Sequence, residues 1–223
     1  MNFYKKRAFS TEHLDYYNYI ETLPYENYLD CGCSDWQGIN LVNSDLDKPN
    51  KSFGVDVYKS HPKTIVCDMN KDKLPFKKNS FDVCSSFEVI EHISNTQHFI
   101  QEINRVLKPN GILYISTPNL AWWANRILLF FGYQPANTEV DLYHSMYGKP
   151  KIFKDNISSG HLHVFTHRAM KEFLINNKFT IIRTIPDCAH YEGILKIFNF
   201  VDKILSYVPS WARGYVYICK KSN

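Results

Sequence analysis

The chain has no CxxC pair, no block of five like charges and no long apolar run; stretches such as Ile127–Phe131 fall far short of the roughly 20 residues of a membrane span. Each absence closes off a class. Cys31-Gly-Cys33 has no Cys/His partner pair at zinc spacing, so no metal is expected. The six cysteines, at 31, 33, 67, 84, 188 and 219, lie mostly in apolar, strand-like runs. A free thiol there behaves as a small buried hydrophobe, which suits a reducing cytoplasm better than a disulfide framework. The formal charge is only +4, and Lys5-Lys6-Arg7 and Lys220-Lys221 are too short to make the concentrated basic face that nucleic acid requires. Met1 to His13 lacks an apolar core of signal-peptide length, so a cytoplasmic protein with no leader and no membrane span is expected.

What is present suits a single globular domain. In 223 residues, 44% are hydrophobic and 22% charged, which argues against disorder and allows a core without disulfide support. Aromatics are plentiful and cluster at the N-terminus and between Trp122 and Tyr147.

Periodicity alternates along the chain. Helical spacing over Thr11 to Thr22, with Ser10 as cap and Pro24 as stop, precedes a strand from Tyr28 that breaks into small residues at Gly32. Ser34 to Leu46 carries Trp36, Ile39, Val42 and Leu46 at helical spacing. Further strands are expected over 52–57, 64–67, 81–87, 112–116, 179–184 and 214–219, with helices over 96–107, 168–176 and 194–207. Lys108-Pro-Asn-Gly111 reads as a turn, and Thr166 as a helix cap. The apolar helix 194–207 reads as core. Alternating strands and helices imply a mainly parallel, doubly wound sheet, with an antiparallel partner at its edge. Residues 119–160 show no clear alternation, and a stretch of that length in a compact domain is usually a lid or binding element.

In a doubly wound sheet, ligands bind beyond the carboxyl ends of the strands. The first strand ends in Asp30-Cys-Gly-Cys33-Ser34, where Gly32 permits close approach of backbone to ligand. The second ends in Asp56, 24 positions after Gly32, placed to accept the hydroxyls of a ribose. The third ends in Asp68-Met69: an acceptor for an exocyclic amino group beside an apolar side chain that can pack on a purine. The later glycines of a GxGxxG loop are missing, which disfavours pyrophosphate. A ligand with adenosine but no phosphate fits better.

These segments resemble the class I S-adenosylmethionine-dependent methyltransferases of the UbiE-like type 11 or neighbouring type 23 kind. The likeness rests on Leu29-Asp-Cys-Gly-Cys-Ser34, Phe53-Gly-Val-Asp56, Ile65-Val-Cys-Asp68 through Phe81-Asp82, Ser86-Phe-Glu-Val-Ile-Glu-His92, Arg105-Val-Leu-Lys-Pro-Asn-Gly111 and Ser116-Thr-Pro-Asn119, in family order. A weaker echo, Gly160-His-Leu-His-Val-Phe-Thr166, extends it to about 184. The resemblance implies a Rossmann-like α/β fold in one domain: a helical segment 1–26, a cofactor-binding core 27–119, an acceptor lid 119–165 and the rest of the sheet in 166–223. It implies that Asp30, Gly32 and Cys33 line the methionine part of S-adenosyl-L-methionine, Asp56 holds its ribose, Asp68 and Met69 flank its adenine, and Phe87 and Glu88 meet it at the fourth strand. Ser34, counted with these as a cofactor residue, and Trp36 stand where the family usually has glycine, and the stretch from Asp56 to Thr64 is too short for the usual second crossover helix.

The activity implied is methyl transfer to a small-molecule, saccharide or lipid-linked acceptor, at oxygen, by a protein that could be a homodimer. A non-catalytic cofactor- or partner-binding module and, behind it, a nucleotide-binding oxidoreductase remain alternatives. If the acceptor must lose a proton, His92, Tyr143, His144, His161 and His163 are candidate bases, although for each histidine taken singly a capping or structural role is the stronger reading. Trp122, Trp123, Phe130, Phe131, Tyr133, Tyr143 and Tyr147 would gather over the acceptor or form a hydrophobic cap.

Overall fold

The computed structural model describes residues 16, 20, 25–34, 51–141, 147–150, 160–188, 197–208 and 210–222. Seven strands form one sheet: β1 (Asn27–Cys31), β2 (Lys51–Asp56), β3 (Ile65–Val66), β4 (Phe81–Phe87), β5 (Leu107–Pro118), β6 (Phe179–Asp187) and β7 (Gly214–Lys221). Their order is β3-β2-β1-β4-β5-β7-β6. The first five are parallel, and β7 runs antiparallel to both β5 and β6. The antiparallel strand thus lies at the far end of the sheet, one position in from outermost β6. The chain winds outward in one direction through β1, β2 and β3 and in the other from β4, so strand order reverses between β1 and β4. That is where a doubly wound sheet opens a crevice.

Strand alternation divides the apolar side chains between two cores. Leu29 and Cys31 of β1, Leu113 and Ile115 of β5, and Tyr215, Tyr217 and Cys219 of β7 join one. Tyr28, Tyr114, Val216 and Ile218 join the other, which is covered by Ile20 and Tyr16, the two described residues of the N-terminal helical stretch. The first core is roofed by α1 (Thr96–Val106) and α3 (His167–Asn176). In α1 the apolar spacing Phe99, Ile100, Ile103, Val106 makes one buried stripe, and the Asn95 side chain caps it by accepting from the His98 N–H at 3.1 Å. Thr166 caps α3 by accepting from Ala169 N–H at 3.1 Å, as the sequence predicts.

Three elements differ from expectation. The Lys108–Gly111 turn is absorbed into β5, where the register with β4 shifts between Phe81 and Val83 and Asn110 takes a left-handed φ of 64°. Inside the stretch that shows no clear alternation in the sequence stands α2 (Trp123–Phe130). Its apolar residues run nearly all round, so no clean stripe marked it in the sequence. Finally, α4 (Ile197–Ser206) is no core helix over its described residues: Phe200, Ile204 and Tyr207 just beyond it are exposed, while its buried face carries Asp202 and Ser206. Asp202 accepts from the indole N–H of both Trp122 (2.8 Å) and Trp123 (2.6 Å), so packing here is decided by polar partners that periodicity does not encode.

None of the six cysteines is in a disulfide, and five of them are buried. No helix among the described residues is long and apolar enough to cross a membrane.

Candidate active site

Beyond the carboxyl ends of β1 to β4 lies a cleft of about 280 Å³, lined by Gly32, Ser34, Asp56, Val57, Tyr58, Ser60, Asp68, Met69, Asn70, Val89, His92 and Ile93. This is near the lower end of the roughly 300–1,000 Å³ of small-molecule sites. Five of the nine cofactor residues expected from sequence, Gly32, Ser34, Asp56, Asp68 and Met69, come together on its wall with His92.

Gly32 turns the chain out of β1 with φ +87°, its N–H and that of Cys33 both donating to Val55 O. Ser34 follows in the left-handed region at φ 46°. Asp56 fastens this turn. Its Oδ2 accepts from Ser34 N–H at 3.0 Å and its Oδ1 from Tyr58 N–H at 3.2 Å, while Ser60 donates to Ser34 O. A carboxylate offers about four lone-pair positions, so two backbone bonds leave Asp56 acceptor capacity toward the cleft.

At the end of the third strand, Asp68 Oδ1 accepts from the backbone N–H (3.1 Å) and side-chain amide (2.9 Å) of Asn70, and Oδ2 pairs with Lys71 at 3.2 Å. Those bonds, the Asn70 side-chain one foremost, hold the Asp68 carboxyl below its ordinary range. Asn70, which sequence reading passed over, also accepts from Ser94 N–H at 2.7 Å and ties the third strand end to the turn after β4. Met69 is buried with the core, so its side chain forms floor rather than rim.

The other four expected residues stand behind this wall. Asp30 is buried and accepts from Ser85 Oγ at 2.6 Å, in a chain that continues from Ser85 to the Tyr28 hydroxyl at 2.5 Å. Cys33 is buried with its sulfur 3.8 Å from Thr64 Oγ1, and burial pushes its thiol up to about 12, so it is neutral packing. Phe87 is buried and stacks on Tyr16 with ring centroids 6.0 Å apart. Glu88 sits at φ 54°; its N–H donates to Ser116 Oγ, which in turn donates to Glu88 Oε1 at 2.8 Å. Val57, Tyr58, Ser60, Val89 and Ile93 line the cleft without a signal in the sequence, because loop residues carry no period. The bend from 57 to 64 holds no helix, as its shortness implies.

Among the candidate bases, His92 and His161 stand face to tilted face, centroids 5.0 Å apart, beside buried Glu91. His163 is exposed, with Nε2 3.2 Å from Ser94 O. Tyr143, His144 and Trp36 lie outside the described residues, as do most of helix 11–22 and the helix expected over 34–46. Of the aromatics expected over the acceptor or in a cap, Trp122 is buried against Asp202, Phe130, Phe131, Tyr133 and Tyr147 are exposed, and none of these described residues lines the cleft. What does reach the rim from that segment is its end, where Leu162 and His163 N–H donate to Glu91 O.

Residues 29–115 match the family model of a methyltransferase domain. A probable S-adenosylmethionine-dependent methyltransferase of Mycolicibacterium smegmatis is 32% identical over 99 residues, 41% of this chain and 37% of that protein. The chain thus spans little more than a third of that relative's length in the match. The ubiquinone biosynthesis O-methyltransferase of Rickettsia typhi is 26% identical over 87% of this chain and 81% of its own. Among solved structures, a SAM-dependent methyltransferase from Archaeoglobus fulgidus superposes with TM-score 0.61 at 14% identity, covering 95% of this chain and 92% of that one, a likeness of fold.

Proposed function

Since this chain belongs to the class I S-adenosylmethionine-dependent methyltransferases, we propose that it transfers a methyl group from that cofactor to an oxygen of a small-molecule, saccharide or lipid-linked acceptor. The observation that carries the reading is the convergence of Gly32, Asp56 and Asp68 on one cleft at the switch point of the sheet. The residues fit the group. Gly32 leaves the first strand end bare of side chain, and Asp56 and Asp68 line the same partly apolar cleft. Oxygen as the methyl acceptor is supported by the name of the Rickettsia relative.

Bound S-adenosylmethionine supplies an electrophilic methyl on a sulfonium whose charge is discharged by an in-line displacement. Asp56 accepts the ribose hydroxyls with the lone pairs its two backbone bonds leave. Asp68 accepts from the adenine amino group, and Val57, Tyr58 and Ile93 give that ring an apolar seat. Asp30, Cys33, Phe87 and Glu88 act from behind, holding the strand ends in register. The chain's main contribution is alignment of donor and acceptor, an orientation effect worth up to several kcal/mol. The acceptor approaches where residues 160–163 close onto the turn after β4, under the segment 119–165.

Calorimetry with S-adenosylhomocysteine tests this. Hydrogen bonds to a charged group contribute about 1.5–3 kcal/mol, so Asp56→Ala weakens binding roughly 10- to 150-fold. Equal affinity in a folded Asp56→Ala protein removes the cleft from the reading.

A further inference from the structure

His92 Nδ1 lies 3.0 Å from Gly160 O, and His161 Nδ1 lies 2.9 Å from Asn137 O. A carbonyl only accepts, so both Nδ1 atoms carry hydrogen and donate. A neutral imidazole so held presents a lone pair at Nε2. Both Nε2 atoms turn toward the same atom, Glu91 Oε1, at 3.6 and 4.0 Å. Glu91 is fully buried, and its Oε2 accepts from Thr117 Oγ1 at 3.3 Å. The His161 segment is fixed as well: Gly160 and His161 N–H donate to Glu139 Oε2 at 2.8 and 3.3 Å.

Two nitrogens and a carboxylate oxygen, all within 4.8 Å of one another, are therefore aimed at a common point in a buried setting. Ligands about 2.0–2.2 Å from one tetrahedral ion stand roughly 3.4 Å apart, so holding an ion draws the set in from its present separations of up to 4.8 Å. Imidazoles whose far N–H is held by backbone carbonyls are the usual outer-shell arrangement of histidine metal ligands. We propose that Glu91, His92 and His161 bind a divalent first-row transition metal, with zinc suited and magnesium unsuited to two imidazoles and one carboxylate. His92 also lines the cleft, so a position of the ion left open faces the acceptor side. The existence of the site stands on geometry alone; its use rests on the methyl-transfer reading. In that use the ion binds an acceptor hydroxyl, and the hydroxyl proton leaves to solvent more readily before the oxygen takes the methyl group.

The sequence spacing could not show this set, because 69 positions separate His92 from His161 and the sheet alone brings them together. The competing occupant is a proton, shared between an imidazolium and Glu91.

The test is titration of the chelator-stripped full chain with Co²⁺, read by visible ligand-field absorption, then displacement by Zn²⁺. One equivalent of Co²⁺ is expected to bind with visible bands that Zn²⁺ bleaches. His161→Ala should abolish the bands and His163→Ala leave them. Should His161→Ala fail to fold, His161→Cys keeps a ligand in place and should show a thiolate charge-transfer band besides. Wild-type protein that gives no bands overturns the site in favour of the shared proton. So does a spectrum that survives in folded His161→Ala. S-adenosylhomocysteine affinity of the stripped protein is measured in parallel. Cofactor binding without cobalt binding sinks only the metal site, whereas cobalt binding without cofactor binding sinks the methyl-transfer reading and leaves the site.

Discussion

A Cβ on Gly32 would stand 2.3 Å from Cγ2 of Val89. The first strand end and the turn after β4 are in contact there, and the contact exists only because position 32 has no side chain. Two separate demands thus meet at one residue: space, and a φ of +87° that L-residues rarely adopt. Gly32→Ala should therefore weaken S-adenosylhomocysteine binding and lower Tm. Adding Val89→Ala removes the clash but leaves the backbone cost of about 1–2 kcal/mol. The double variant should recover part of the cofactor affinity and part of the Tm. If Val89→Ala recovers neither, the contact is not what fixes glycine here.

Asp68 and Asn70 make a second testable pair. Asp68→Asn keeps an amide oxygen that can accept from Asn70 and from an adenine amino group, whereas Asp68→Ala keeps none. Calorimetry should rank affinity as wild type, then Asn, then Ala. Identical affinity in all three would place adenine elsewhere.

Acid should loosen the loop that leads from β3 to β4. Burial opposes ionisation of Glu102, but bonds from Arg105 (2.7 Å) and from Leu74 N–H (2.8 Å) outweigh it and hold the carboxyl below its ordinary range. Burial likewise opposes, and bonds from Lys108, Asn27 and Glu26 outweigh, at Asp82, which is also lowered. A carboxyl lowered by folding contributes stability above its unfolded pKa of about 4, lost as pH falls through the folded value. Urea unfolding should therefore show wild-type stability falling below pH 4. Glu102→Gln should be less stable at pH 7 by about 1–3 kcal/mol and fall less steeply in acid. A parallel fall in both proteins would contradict the assignment.

Asp202 anchors Trp122 and Trp123 to α4 from beneath. Asp202→Ala leaves a buried indole N–H without this acceptor, which costs about 1–3 kcal/mol. Thermal unfolding should register the loss, with tryptophan fluorescence altered in the native state and S-adenosylhomocysteine affinity unchanged. A fall in cofactor affinity instead would tie this anchor to the cleft.

The strands, the doubly wound order and the acidic residue at the end of each of the first three were legible from the residues alone, because burial and turn formation write periods and punctuation into neighbouring positions. Gly32, Asp56 and Asp68 were legible since each follows a strand it terminates. What is made from residues far apart in the chain was set by the assembled fold. It put Val89 against Gly32, drew Asn70 to Ser94, and took Asp30 and Cys33 out of the cleft lining, Asp30 held by its bond from Ser85 and Cys33 by its place in the second core. It also left Phe200 and Ile204 of α4 exposed, with Asp202 turned inward to the two indoles, and brought His161 beside Glu91 and His92. No local pattern records such contacts: their energies depend on which segments the completed sheet sets side by side.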